Sequence, residues 1–176
     1  SGTGTSGATL LGTATVSAVN GVATFSDVRI DEAHTLTASR YTLTASSGSL
    51  TSGVSSSFDV SAAAASTLVV TGDPSTTVAL EAFGTQPIVQ IRDAYGNLVT
   101  SSSAQVTASI TIGTGTLGAT LSGSTTVTAS NGIATFSGLI IDRSGSGYTL
   151  TFESSGLTSG VSSEFTILTA NASALA

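Results

Sequence analysis

The stretch GTGTSGATL, Gly2 to Leu10, returns as GTGTLGATL, Gly113 to Leu121, and two longer blocks downstream of it return in the same order. TVSAVNGVATFSDVRID (Thr15 to Asp31) pairs with TVTASNGIATFSGLIID (Thr126 to Asp142), and YTLTASSGSLTSGVSSSF (Tyr41 to Phe58) with YTLTFESSGLTSGVSSEF (Tyr148 to Phe165). A duplicated block must satisfy one set of packing rules twice, so the chain reads as tandem modules. Between the paired blocks the first copy has EAHTLTASR where the second has RSGSG. A length difference of that kind belongs in a loop joining two elements.

Each block has β chemistry. Val, Ile, Thr and Phe dominate, apolar residues tend to alternate, and Gly, Ser and Asn cluster between the runs. Asn20-Gly21 and Asn131-Gly132 each join two such runs, and Asn-Gly is the pair that tolerates the two positive φ angles of a type I′ turn. Phe25 and Phe136 come after Ala23 and Ala134 at period two, which predicts an inward face. No segment shows a capped 3.6-residue apolar period, so helix content should be near zero.

The second copy has a lead-in that the first lacks: STLVVTGDPST, TQPIVQIRDAYGNLVT and AQVTASITIG supply three further strand runs. Pro74 marks a turn, Pro87 opens a strand, and DAYGN (Asp93 to Asn97) is a turn with Gly96 at its tight position. About seven short strands in roughly a hundred residues is the pattern of an immunoglobulin-like β-sandwich without its disulfide. The fold class expected is therefore all-β, with such sandwiches in tandem. Residues 1–60 are expected to form the C-terminal part of one repeat, 61–66 a linker, 67–167 a complete repeat, and 168–176 a linker with the start of the next. Val89, Ile91, Val106, Val127, Phe136, Leu150 and Phe165 are the expected core of the complete module. In the first copy Val16, Val22, Phe25, Leu43 and Phe58 should stand open to water unless strands from outside that segment cover them.

Composition narrows the function. Only 8% of the 176 residues are charged, and the polar complement comes from Ser, Thr and 20 Gly. A net charge of −6, with four Arg and no Lys, leaves no basic patch for phosphates, so nucleic acid is not an expected partner. There is no Cys and no Met, which suits an exposed extracellular setting. No run is apolar enough for membrane insertion, and SGTGTSG is no signal peptide, so any export signal or anchor is expected elsewhere in a longer protein. The chain is read as a window on a tandem array.

The order VQIRDAYGNLVT, TTVTASNGIATFSGLIID, GYTLTF resembles the bacterial Ig-like repeats of invasin and intimin type and of very large bacterial surface proteins. In those repeats a D-x-x-G-N-x-V turn precedes an x-N-G-x-A hairpin and a G-x-Y-x-L-x-A strand. The resemblance covers the complete module and the second half of the preceding one. It implies a stalk unit of an adhesin or surface fibre, with no catalysis.

The residues that could carry chemistry each have a simpler role open to them. His34 is the single histidine, in the variable stretch, and has no counterpart in the second copy, so it reads as a loop residue. Without a G-x-S-x-G elbow or a second histidine, a serine hydrolase is excluded. Calcium stiffens many extracellular tandem modules and takes carboxylate and carbonyl oxygens. Asp31, Asp73, Asp93 and Asp142 are weak calcium candidates, though no D-x-D-x-D-G loop is present and an Asp in a turn usually caps its own backbone. No other cofactor is expected. Tyr41 and Tyr148 head matching strands, where a half-buried ring with a wet hydroxyl is expected. Absence of Lys excludes Lys–Asn isopeptide links; an ester analogue through Gln86, Gln90 or Gln105 has nothing in the spacing to favour it. Asn171-Ala-Ser173 is a candidate N-glycosylation sequon.

Two function classes fit this sequence. The first is a structural repeat of a long extracellular fibre, stalk or surface layer, partnered by neighbouring repeats or identical chains. The alternative is a glycan- or protein-binding adhesion module using the loops DAYGN and DEAHTLTASR, with Tyr95 as the loop aromatic.

Overall fold

The computed structural model describes residues 4–33 and 40–170. The chain divides into two compact units, Ser1–Ala63 and Ala64–Ala176. Among the described residues every regular element is a strand; no helix forms, and so none is long and apolar enough to cross a membrane. Both the hydroxyl-rich, β-branched composition and the dense Gly and Ser punctuation favour this outcome. His34 and Asn171 lie outside the described residues.

Unit 1 contains four short strands: β1 (Leu10–Leu11), β2 (Arg29–Ile30), β3 (Thr44–Ala45) and β4 (Gly53–Val54). β1 pairs antiparallel with β2, and β3 with β4. Between them Val19 and Val22 exchange both backbone hydrogen bonds across Asn20-Gly21, at 2.9 and 3.0 Å. Tyr41 and Phe58 do the same, each at 2.9 Å.

Unit 2 begins with the lead-in runs β5 (Ala65–Gly72), β6 (Thr77–Val78), β7 (Ile88–Asp93) and β8 (Gln105–Ile110). The repeated blocks then supply β9 (Leu121–Ser122), β10 (Thr126–Thr128), β11 (Ile133–Thr135), β12 (Ile140–Ile141), β13 (Gly145–Tyr148), β14 (Leu150–Glu153), β15 (Gly160–Val161) and β16 (Phe165–Leu168). One sheet has the order β10-β8-β14-β15 and another β11-β7-β5; β13-β16-β6 and the pair β12-β9 complete the unit. β5 starts inside the alanine-rich run, so Ala65 and Ser66 belong to a strand and do not act as linker.

Alternation places the core. Val89 and Ile91 point inward from β7, Val106 and Ala108 from β8, Leu150 and Phe152 from β14, Phe165 and Ile167 from β16. Phe136, just past β11, meets Phe152 with ring centroids 5.2 Å apart, which locks two sheets face to face in the manner of a β-sandwich. Six of the seven expected core residues are buried. Val127 is only half-buried, because β10 is the outer strand of its sheet and has a neighbour on one side alone.

The Asn-Gly turns form as expected. Asn131 and Gly132 have φ of 50° and 75°, Asn20 and Gly21 of 51° and 80°. The hairpin closed by Asn131-Gly132 is shorter than the sequence pattern predicts. Beyond the Ser130–Ile133 bridge the two arms part, β10 pairing with β8 and β11 with β7, so the turn carries the chain from one sheet to the other. A Cβ at Gly132 would run into the Val99 carbonyl, an added reason for glycine there.

Unit 1 repeats the local geometry without the cover. Phe136 is 1% exposed, but its counterpart Phe25 is 42% exposed; Val22 is 64% exposed, and Val16, Leu43 and Phe58 are half-buried. Among the described residues of unit 1, nothing supplies the positions that β5, β7 and β8 hold in unit 2. Truncation should expose this asymmetry in urea melts of the two variants: Phe136→Ala is expected to cost unit 2 about 3–5 kcal/mol, and Phe25→Ala to cost unit 1 about 1 kcal/mol or less. Equal losses would contradict the difference in burial.

Candidate functional site

The feature both units share among the described residues is a set of joints around Gly4-Thr5 and Gly115-Thr116 and the tyrosine that closes on each pair. Gly4 and Gly115 have φ of 86° and 63°, and a Cβ at either would fall on the ring of Tyr41 or Tyr148, so the ring lies flat on glycine backbone. The Tyr41 hydroxyl donates to the Glu32 carbonyl at 2.9 Å, and that of Tyr148 to the Arg143 carbonyl at 2.8 Å. The Thr5 and Thr116 hydroxyls donate to the carbonyls of Ala33 (2.8 Å) and Ser144 (2.6 Å). Ser55 Oγ accepts from Leu43 N and Ser162 Oγ from Leu150 N, both at 2.9 Å. The tyrosines therefore differ from expectation: Tyr148 is fully buried and Tyr41 nearly so, and each hydroxyl is spent on a carbonyl instead of water. Burial of a phenol requires such a partner.

The four candidate acids are not brought together. Asp31 accepts from Thr9 N and Asp142 from Thr120 N, both at 2.7 Å, in matching positions of the two units. Asp73 accepts from Ser163 N (2.8 Å) and Ser163 Oγ (2.9 Å), joining connections ninety residues apart in sequence. Asp93 continues the inward alternation of β7 and is 1% exposed. Its Oδ1 accepts from Tyr95 N and Asn97 N at 2.9 Å, and its Oδ2 from Asn97 Nδ2 at 3.0 Å, which folds DAYGN around a buried carboxylate. Each acid is a backbone staple, and among the described residues no group of three His, Cys, Asp or Glu converges as a metal site would need.

Sequence reasoning missed two further staples and a groove. Asp27 binds Thr13 twice, accepting from its N and its Oγ at 2.9 Å each, and these bonds, the backbone one foremost, hold its carboxyl below the ordinary aspartate range. Its counterpart in the second copy is Gly138, so the repeat gave no signal. Gln86 donates through Nε2 to the Phe83 carbonyl at 3.0 Å and accepts from Leu139 N at 3.1 Å, using its amide as a joint between distant segments. On unit 2 an open groove of about 830 Å³ is lined by Gln105, Thr107, Glu153, Ser154, Ser155 and Ser159 among others. It offers hydroxyls, an amide and one carboxylate, with neither an aromatic platform nor a nucleophile paired to a base. Tyr95 stands apart on the DAYGN loop, 75% exposed.

No protein-family model matches the chain, and no curated protein does. Among solved structures, a β-glycosidase from Bacteroides vulgatus is similar at 13% identity and a TM-score of 0.44, over 85% of this chain and 20% of that one. A likeness that weak carries no argument about activity.

Two outcomes are expected from the staples. Asp93→Ala leaves three part-buried donors without their acceptor and opens the buried place of the carboxylate, and should lower the stability of unit 2 by about 1–3 kcal/mol in a urea melt, with Asp93→Asn costing less. Because the folded Asp27 carboxyl is depressed, its contribution is present above the unfolded pKa and is lost as pH falls through the lower folded value. An NMR carboxyl titration should place Asp27 below an unfolded aspartate, and Thr13→Ala should move it back up. No change in that variant would contradict the bonding to Thr13.

Proposed function

We propose that this chain is a structural repeat segment of a long extracellular or cell-surface fibre, stalk or surface layer, built of Ig-like modules in tandem. The observation that carries the reading is that the repeated motif residues serve as joints, and serve the same way twice. Asn-Gly turns the chain, Tyr41 and Tyr148 close on glycine backbone and a carbonyl, and Asp31 and Asp142 hold the equivalent threonine N–H. A ligand site is needed once; a load-carrying joint is needed in every unit. Of the residues behind the resemblance to invasin- and intimin-type repeats, the Asn-Gly pair and the tyrosine of YTLT are among these joints, and the DAYGN turn is built in unit 2. The reading calls for no cofactor. Its partners are neighbouring repeats.

A second reading, an adhesion module for glycan or protein, is favoured by one observation: Tyr95 is presented on a loop held rigid by Asp93. Antibodies raised to the chain should label the surface of intact, unpermeabilised source cells in electron microscopy. Label confined to the cell interior would overturn the fibre reading. Selective binding on a glycan array that Tyr95→Ala abolishes would put the second reading first.

A further inference from the structure

Unit 1 carries a hollow of about 310 Å³ whose lining includes the apolar Leu10, Val28, Ile30, Leu43, Phe58 and Val60 together with Arg29 and Asp59. The equivalent positions of unit 2 are Leu121, Leu139, Ile141, Leu150, Phe165 and Ile167, and there a residue from the lead-in fills the place. Phe83 is buried with its ring edge-on to Phe165, centroids 5.4 Å apart, and its N donates to the Leu139 carbonyl at 3.1 Å. The chain on either side of Phe83 then pairs along the same edge. Leu80 N donates to the Ile141 carbonyl at 2.9 Å, Phe136 N to the Pro87 carbonyl at 3.0 Å, and Ile91 N to the Gly132 carbonyl at 2.8 Å. Between those bonds Ile88, Val89 and Gln90 lie opposite Thr135, Ala134 and Ile133.

The accepting residues recur in unit 1. Ala23, Thr24, Phe25, Ile30 and Phe58 are identical to their counterparts, and Val22, Val28 and Val60 are the smaller versions of Ile133, Leu139 and Ile167. The surround of the hollow is already shaped: β1 pairs with β2 as β9 does with β12, and Tyr41 stacks on Phe58 at 6.2 Å as Tyr148 does on Phe165 at 5.9 Å. The hollow itself therefore needs little ordering to accept a side chain.

We propose that unit 1 is a preformed acceptor face, and that its occupant is a segment with the pattern of Thr77–Arg92 that lies outside residues 1–63. The phenylalanine of that segment enters the hollow, and its Pro-Ile-Val-Gln-Ile strand pairs on residues 21–25, a β-augmentation with a side-chain knob. The inference deepens the tandem-repeat reading and rests on the equivalence of the repeats, not on a surface location. Surface labelling and peptide binding can therefore fail separately.

The test adds the labelled peptide TVALEAFGTQPIVQIR, residues 77–92, to the intact 176-residue chain and reads anisotropy together with backbone amide shifts. Saturable one-to-one binding is expected, with shifts at residues 20–30 and 58. A Phe83→Ala peptide should bind roughly tenfold or more weakly. Val28→Arg in the chain, which fills the hollow, should weaken binding of the unaltered peptide by a similar factor. If that variant unfolds unit 1, the two peptides still decide the matter. Absence of saturable binding, equal binding of both peptides, or shifts at 132–141 in place of 20–30 would each overturn the proposal. So would a self-associated chain, seen by sedimentation, that the peptide does not dissociate, since the face would then be complementary to itself.

Discussion

A sheet with one apolar face is stable only when something covers that face, and in unit 2 that cover is the packing of the sheet β11-β7-β5 on the sheet β10-β8-β14-β15. Through it Val89, Ile91, Val106 and Ala108 reach the same interior as Phe136, Leu150 and Phe152. All of those side chains are buried, and at ~25 cal/mol per Å² of apolar surface they dominate what holds the unit together. The pairing depends on one strand in each layer. β8 sits between β10 and β14, and β7 between β11 and β5, so each central strand satisfies two ladders at once.

Unit 1 separates what that cover does from what local chemistry does. It has the same Asn-Gly turn, the same tyrosine hydroxyl on a carbonyl, the same aspartate on a threonine N–H and the same serine beside a strand pair as unit 2. It does not have the buried phenylalanine. In unit 1 these joints link residues no more than 22 apart in sequence, and the entropy cost of closing such loops rises only slowly with length. A core needs area from strands remote in sequence, and among the described residues of this unit the covering strands are absent. Ala45 in place of Phe152 widens the difference, since Phe25 then has no ring to meet.

The low charge content acquires a use in this setting. With few ionic side chains, polar satisfaction falls to hydroxyls, amides and a handful of carboxylates, and those carboxylates are drawn onto backbone N–H groups, where an ionised acceptor makes its strongest bonds. Arg40 and Asp59 form an ion pair at 3.1 Å, but both ends are largely in water and it adds little.

How much was legible varied with sequence distance. The all-β class, the repeat, both Asn-Gly turns and six of seven core residues were readable, because turn conformation and strand alternation are properties of neighbouring residues. The DAYGN turn was readable as a turn, but not as one closed on a buried carboxylate. Burial of Asp93 depends on the inward phase of β7, which only its packing sets. In the same way Tyr148 was expected half-wet, and a carbonyl five residues away took its hydroxyl. Local residue chemistry, at short range, determined the elements and their turns. The tertiary structure alone decided that the arms of the Asn131-Gly132 turn enter different sheets, that Gln86 and Asp73 bridge distant segments, and that Phe83 fills a place which unit 1 leaves open. Those depend on which remote strand supplies the missing surface, and no window of neighbouring residues encodes that choice.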